Sequence, residues 1–226
     1  MKHATFILVI TLLFTGCVST KKFSSFVNPT FKHFFLYPTQ DENENISVDL
    51  SKLEAMDDAV KSEALKSRFI PAVLFWQSVK EIECLISPQC VGDMFKFHFI
   101  NYSKALGLSE KLGSRKLTVI IEEIPASFLY TYKNSTIILG SENTYTSLEE
   151  AIYPVEQDFV IWYELQENGQ TKISEEIHIT NRDTPMENSW RSTKSFTKKY
   201  VKQFENNIQN AAEETAQLFL DIINHF

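Results

Sequence analysis

The stretch FTKKYVKQFENNIQNAAEETAQLFLDIINHF (196–226) constrains the fold more than any other. Phe196, Tyr200, Phe204, Ile208, Ala211, Ala212, Thr215, Leu218, Ile222 and Phe226 trace one helical face, and Lys199, Gln203, Glu205, Glu213 and Glu214 occupy much of the rest. Burying that face against a sheet contributes roughly 1.5–3 kcal/mol per large side chain. The stripe therefore reads as a structural helix that closes a domain, and the remaining chain must supply the sheet.

Strand signals are distributed accordingly. In QDFVIWYELQENGQTKISEEIHIT (157–180), Val160, Trp162 and Glu164 run up to Asn168-Gly169, and Ile173, Ile177 and Ile179 run away from it. Asn-Gly takes positive φ cheaply at both central positions, which matches the twist of a two-residue hairpin. RKLTVIIEEIPASFLYTYKNSTIILG (115–140) reads as two strands turning at Lys133-Asn134, with Pro125 as a bend or bulge in the first. The aromatic and β-branched run in 69–87 reads as a strand entering the core, with Pro71 near its start, and FKHFFLYP (31–38) as a first strand. Residues 47–68 suggest a short strand followed by a polar helix striped by Leu53, Met56, Val60 and Leu65. Residues 91–113 alternate like a strand locally. Over a longer window Phe95, Phe99, Tyr102 and Leu106 repeat at helical spacing, and Gly113 supplies a C-cap. Residues 39–47 read as a solvated loop and RDTPMENSWRS (182–192) as a polar linker. The expected class is α+β, with an antiparallel or mixed sheet of about five to seven strands packed on two main helices, 91–113 and 196–226.

The N-terminus predicts the compartment. Lys2 and His3 precede an apolar run from Ala4 to Phe14, too short for a spanning helix of roughly 20 apolar residues. The run ends at Thr15-Gly16-Cys17, which resembles the lipobox of bacterial lipoproteins, with Phe14 where leucine is usual. The resemblance implies cleavage before Cys17 and acylation of its thiol and new amino group, and two acyl chains suffice for stable anchoring. Val18-Ser19-Thr20 lack the aspartate that retains such proteins at the inner membrane, and no acidic run follows, so the resemblance implies an outer-membrane anchor facing the periplasm. The expected organisation is a signal peptide at 1–16, a lipid-anchored tether at 17–30 and one α+β domain at 31–226.

Charge and composition exclude several functions. With 22 Lys+Arg against 29 Asp+Glu, the net charge of −7 disfavours nucleic acid, and the acyl anchor rather than a basic patch must hold the membrane. Six glycines leave little room for phosphate loops, and neither a Walker nor a dinucleotide fingerprint occurs. The acidic 39–47 stretch lacks EF-hand spacing, and no Cys/His set completes a zinc site, so no cofactor is expected. Cys84 and Cys90, in ECLISPQC, could close a short disulfide loop in an oxidising periplasm or stand as two unpaired buried cysteines. The histidines at 3, 33, 98, 178 and 225 lie far apart. His98 reads as a packed helix residue and His178 as exposed. Glu175 and Glu176, adjacent on a strand, point to opposite faces and cannot act together.

The order of lipobox, strands, helix, β-meander and long alanine-containing C-terminal helix resembles the auxiliary lipoproteins of ABC-type envelope transport systems. KLTVIIEE, FVIWYELQENGQ and NNIQNAAEETAQLFLDII carry the likeness over about half of the mature chain. That group is not enzymatic, and the resemblance supplies no catalytic residue. The function it implies is a non-enzymatic, lipid-anchored accessory or binding subunit, whose partners are the membrane through Cys17 and an envelope protein complex or hydrophobic ligand. A lipid-anchored hydrolase with a dispersed active site and a purely structural envelope linker are the alternatives. An open groove between the two helices and the sheet would favour a bound lipid or peptide; a filled one would favour interaction through the surface.

Overall fold

The computed structural model describes residues 18–40, 44–71, 74–139, 143–189 and 191–225. In chain order these form α1 (Thr20–Leu36), β1 (Ile46–Asp49), β2 (Val60–Pro71), β3 (Phe75–Ile86), α2 (Pro88–Ala105), α3 (Leu108–Leu112), β4 (Lys116–Glu123), β5 (Ser127–Leu139), β6 (Asn143–Pro154), β7 (Phe159–Glu167), β8 (Gln170–Ile179), β9 (Met186–Glu187) and α4 (Thr193–His225). The class is α+β. The strands form two sheets where one was expected: a four-stranded sheet in the order β1-β4-β7-β8 and a five-stranded sheet in the order β2-β3-β5-β6-β9. Only β1 and β4 pair in parallel; all other neighbours are antiparallel.

The C-terminal stripe is a helix as expected. At 33 residues, α4 is roughly 50 Å long, enough to cross both sheets. Its N-terminal half meets the five-stranded sheet, where Tyr200 and Phe128 have ring centroids 4.9 Å apart, and its C-terminal half meets the four-stranded sheet, where Phe219 and Tyr163 lie at 5.0 Å. The β7–β8 hairpin also forms as read, with Asn168 at φ 52° and Gly169 at φ 77° in its two-residue turn. Alternate residues Phe159, Ile161, Tyr163 and Leu165 of β7 point into the core. The helix expected at 91–113 forms as α2 and the short α3, separated by Gly107 at φ 65°. One apolar cluster runs from Val18 to Ile223 and joins both sheets to the helices.

Several expectations fail, each for a physical reason. The tether of 17–30 and the strand of 31–38 are replaced, over their described residues, by α1. Ser19 caps it, accepting the Lys22 N–H at 3.3 Å, and Phe23, Phe26, Val27 and Phe31 are buried. Pro29, inside the helix, and the surrounding Ser and Lys residues disguised that stripe. The polar helix expected within 47–68 is instead β2, an edge strand whose outward side chains include Lys61, Glu63 and Lys66. Such charges are the usual guard on a sheet edge. The single strand of 69–87 is a hairpin half: Pro71 ends β2 and the core strand is β3. Lys133-Asn134 is no turn, because these residues sit in the middle of β5, opposite Val79 and Ser78 on one side and Glu149 and Leu148 on the other. Pro125 separates β4 from β5. Within the linker, Met186–Glu187 pairs with β6.

If residues 20–36 belong to the core, a truncation there must cost core-sized energy. Phe23 is fully buried against Tyr130 at 4.6 Å. Phe23→Ala is expected to destabilise by about 3–5 kcal/mol in urea unfolding followed by circular dichroism. A tether residue would give almost no change.

Candidate functional site

The groove between α2, α4 and the four-stranded sheet is filled by the chain itself. Phe99 meets Phe219 edge-to-face at 5.9 Å, Phe95 stacks with Phe99 at 6.1 Å, and Phe95 reaches Phe159 of β7 at 6.1 Å. All four rings are essentially inaccessible. The largest aromatic concentration of the sequence is thus spent on packing.

The residues singled out from sequence separate rather than converge. Cys17 lies outside the described residues. Cys84 and Cys90 are free thiols, both buried, the second of the two alternatives their spacing left open. Their surroundings explain the separation: Cys84, on β3, is hydrogen-bonded with Ser62 of β2, whereas Cys90 occupies the first turn of α2 beside Ser87 and Asp93. Burial pushes the Cys84 thiol up to about 12. His98 is half-buried on α2 against Phe97, and its burial lowers its pKa while Glu205 of α4 opposes that shift. His178 is exposed, with Nε2 at 2.9 Å from Glu176 Oε1. Glu175, on the other face of β8, accepts the Tyr163 hydroxyl at 3.3 Å. Burial, with Glu175 beside it, pushes that phenol up to about 12. Among the described residues, no three His, Cys, Asp or Glu side chains are grouped as metal ligands would be.

Two carboxylate–tyrosine clips were not anticipated, because their acidic and amide members lie in stretches without periodicity. In the first, Tyr200 of α4 donates its hydroxyl to Asp183 Oδ2 at 2.6 Å, and Gln203 donates Nε2–H to Asp183 Oδ1 and to the Thr184 carbonyl, both at 2.7 Å. One turn on, Asn207 donates to Asn181 Oδ1 at 2.8 Å. In the second, Tyr130 of β5 donates to Glu150 Oε1 at 2.7 Å, and Asn188 donates its side-chain amide to Glu150 Oε2 and its N–H to the Glu150 carbonyl. Burial first, then the neighbouring carboxylate, holds both phenols well above their ordinary range. They are permanent neutral donors. The chemistry of both clips is that of a fastener: they strap residues 181–191 across α4 and β6.

Val18 is buried, its carbonyl accepts from Lys80 Nζ at 2.8 Å, and Ser19 caps α1 directly after it. At the other end of α1, exposed Tyr37 and Phe97 of α2 line an open cleft of about 310 Å³ together with His33, Phe34 and Lys104, and Phe34 meets Phe97 at 6.2 Å; Phe35 and Leu36 are exposed in the same turn of α1. A larger open cleft of about 500 Å³ lies by the start of β2 and carries Glu54, Asp57 and Asp58. No helix among the described residues is long and apolar enough to cross a membrane. No protein-family model, curated protein or solved structure matches the chain.

The raised acids set an alkaline limit. Both protonated forms are favoured by folding, so their contribution is complete below the unfolded values and is lost as pH rises toward about 12. Stability is expected to fall by about 1.4 kcal/mol per pH unit for each group in that window, beginning near pH 9.0 with Cys84. Burial raises Cys90 as well, so Cys84→Ala is expected to reduce the loss above pH 9.0, and the Cys84→Ala, Cys90→Ala double variant to delay its onset toward the tyrosine range, in urea melts between pH 8 and pH 11. Tyr200→Phe, which strips Asp183 of a buried donor, is expected to cost about 1–3 kcal/mol at neutral pH.

Proposed function

We propose that this chain is a non-enzymatic lipoprotein of the bacterial cell envelope. Acyl chains on Cys17 hold it at the outer membrane, facing the periplasm, where it acts as an accessory or binding subunit of a transport or assembly system. The observation that carries the reading is the seating of Val18. The residue that follows the lipobox cysteine in sequence is buried and bonded to β3, and a core helix begins two positions later. An anchor attached there would hold the folded body closely, without the slack of a long linker.

The filled interior favours engagement of a partner through the surface over enclosure of a hydrophobic ligand. The exposed apolar surface at Tyr37 and Phe97, with Phe34 between α1 and α2, is the corresponding surface. Over 17 residues, α1 sets this cluster roughly 25 Å from the anchored end. That geometry suits a subunit which holds the bilayer at one end of α1 and a protein partner at the other.

Metabolic labelling with a clickable fatty acid is expected to mark the intact protein, and Cys17→Ser is expected to abolish the mark and change its fractionation. Thiol titration of the denatured, labelled chain is expected to find two thiols, Cys84 and Cys90. Three thiols, with no label, would overturn the anchor. Crosslinking in intact envelopes is expected to recover a transporter or assembly component, and a Tyr37→Asp, Phe97→Asp double variant is expected to lose most of that yield with its fold retained by circular dichroism.

A further inference from the structure

Among the described residues, only the half of the five-stranded sheet that begins at Val60 and Ile86 lies in the core. Val60, Ile86, Ile82, Tyr130 and Ile152 are buried there, while Ala64, beside Ile82 on the edge strand, is already exposed. Beyond the row Lys80–Tyr132–Glu150, β2, β3, β5 and β6 continue outward to Leu74 and the β5–β6 turn, roughly 20 Å further. We infer that this projecting end of the sheet is a second membrane contact, whose described residues carry no charge and which seats in the interfacial layer of the same bilayer that holds the acyl chains. The inference deepens the anchor reading and rests on it for the choice of occupant.

Three observations carry it. The first is charge. Residues 69–71, 74–78, 134–139 and 143–148 include no Asp, Glu, Lys, Arg or His in a chain that is 23% charged; Glu142 lies outside the described residues. The second is apolar exposure on both faces. Phe69 and Leu148 share one row and face, while Ile137 and Tyr145 share a row that points the opposite way, and Leu74 stands at the β2–β3 turn. Leu74 is 56%, Leu148 60% and Tyr145 62% exposed. A sheet built to pack on a protein core would be apolar on one face only. Exposed Tyr145 is also of the type that concentrates at membrane–water boundaries.

The third observation is position. The Lys80–Val18 bond ties the anchored end of α1 to the base of this projection. The charged residues of the sheet stop at this level, where Lys66 pairs with Glu81 at 3.0 Å and Lys133 with Glu149 at 3.3 Å. Among the described residues β2 is an edge strand and β6 pairs with β9 only at Ala151 and Ile152, and hydrocarbon does not tolerate an open sheet edge. The sheet therefore lies oblique to the bilayer, with its edges among water and headgroups and its apolar side chains at the acyl boundary.

The test uses the full acylated protein in vesicles of phosphatidylethanolamine and phosphatidylglycerol containing a doxyl-labelled phospholipid. Trp162→Phe with Trp190→Phe leaves Trp76 as reporter, and Trp76→Phe with Trp190→Phe leaves Trp162, on the four-stranded sheet, as control. Trp76 emission is expected to shift to the blue and to be quenched several-fold more strongly than that of Trp162. Leu74→Asp with Leu148→Asp is expected to remove most of that difference while the protein stays on the vesicles. Equal, weak quenching of the two reporters overturns the inference, as does a crosslinked dimer at the tip with Trp76 unquenched. Mass spectrometry of the same sample separates the two readings. An unacylated chain overturns the anchor, and quenching of Trp76 on those vesicles still decides the tip.

Discussion

Two sheets with no shared strand become one body because a single helix lies across both. Tyr200 and Phe196 of α4 enter the core beneath the five-stranded sheet, and Phe219 and Ile223 enter it beneath the four-stranded one. Each sheet offers one extensive apolar face, and neither can hide it alone. The 33-residue span of α4 lets both faces be buried in one contiguous cluster, and α1 and α2 fill the remaining flanks, with Phe31 meeting Phe204 at 5.9 Å and Phe99 meeting Phe219. If α4 were half as long, one sheet would lose its cover.

The polar groups of the interior follow from that arrangement. Residues 181–191 must cross from the four-stranded sheet to the start of α4, beside the edge of the five-stranded one, and a crossing segment carries backbone groups that need partners. Asp183, Asn181 and Asn188 meet that need by binding Tyr200, Asn207 and Glu150. Both tyrosines bury a large apolar ring while their hydroxyls reach a carboxylate, so the core stays packed up to the polar seam.

Among the described residues the large aromatic side chains of the interior are interlocked, and most of the exposed large apolar groups lie in two places: the far end of α1 and the outer half of the five-stranded sheet. In the proposed arrangement these two surfaces answer to two partners, a protein and a bilayer, and α1 sets the distance between them. A helix directly after the anchor makes that distance fixed, where a polar linker would make it variable.

Features encoded within a single element were legible in the sequence. The three- and four-residue spacing of Phe196, Tyr200, Phe204 and Ile208 determined α4, and Asn168-Gly169 between alternating strands determined the β7–β8 hairpin, because each depends on neighbours a few positions away. The stripe of Phe23, Val27 and Phe31 was equally local, but Pro29 and the flanking Ser and Lys residues gave it the look of a linker. Tertiary structure alone decided the rest. Residues 60–71 became a strand because main-chain pairing with β3 outweighed a weak helical stripe, and Lys133-Asn134 stayed extended because β3 and β6 pair on either side of it. The two clips, the separation of Cys84 from Cys90 and the uncovered outer half of the five-stranded sheet likewise depend on which distant segments meet, and no local pattern of residues carries that information.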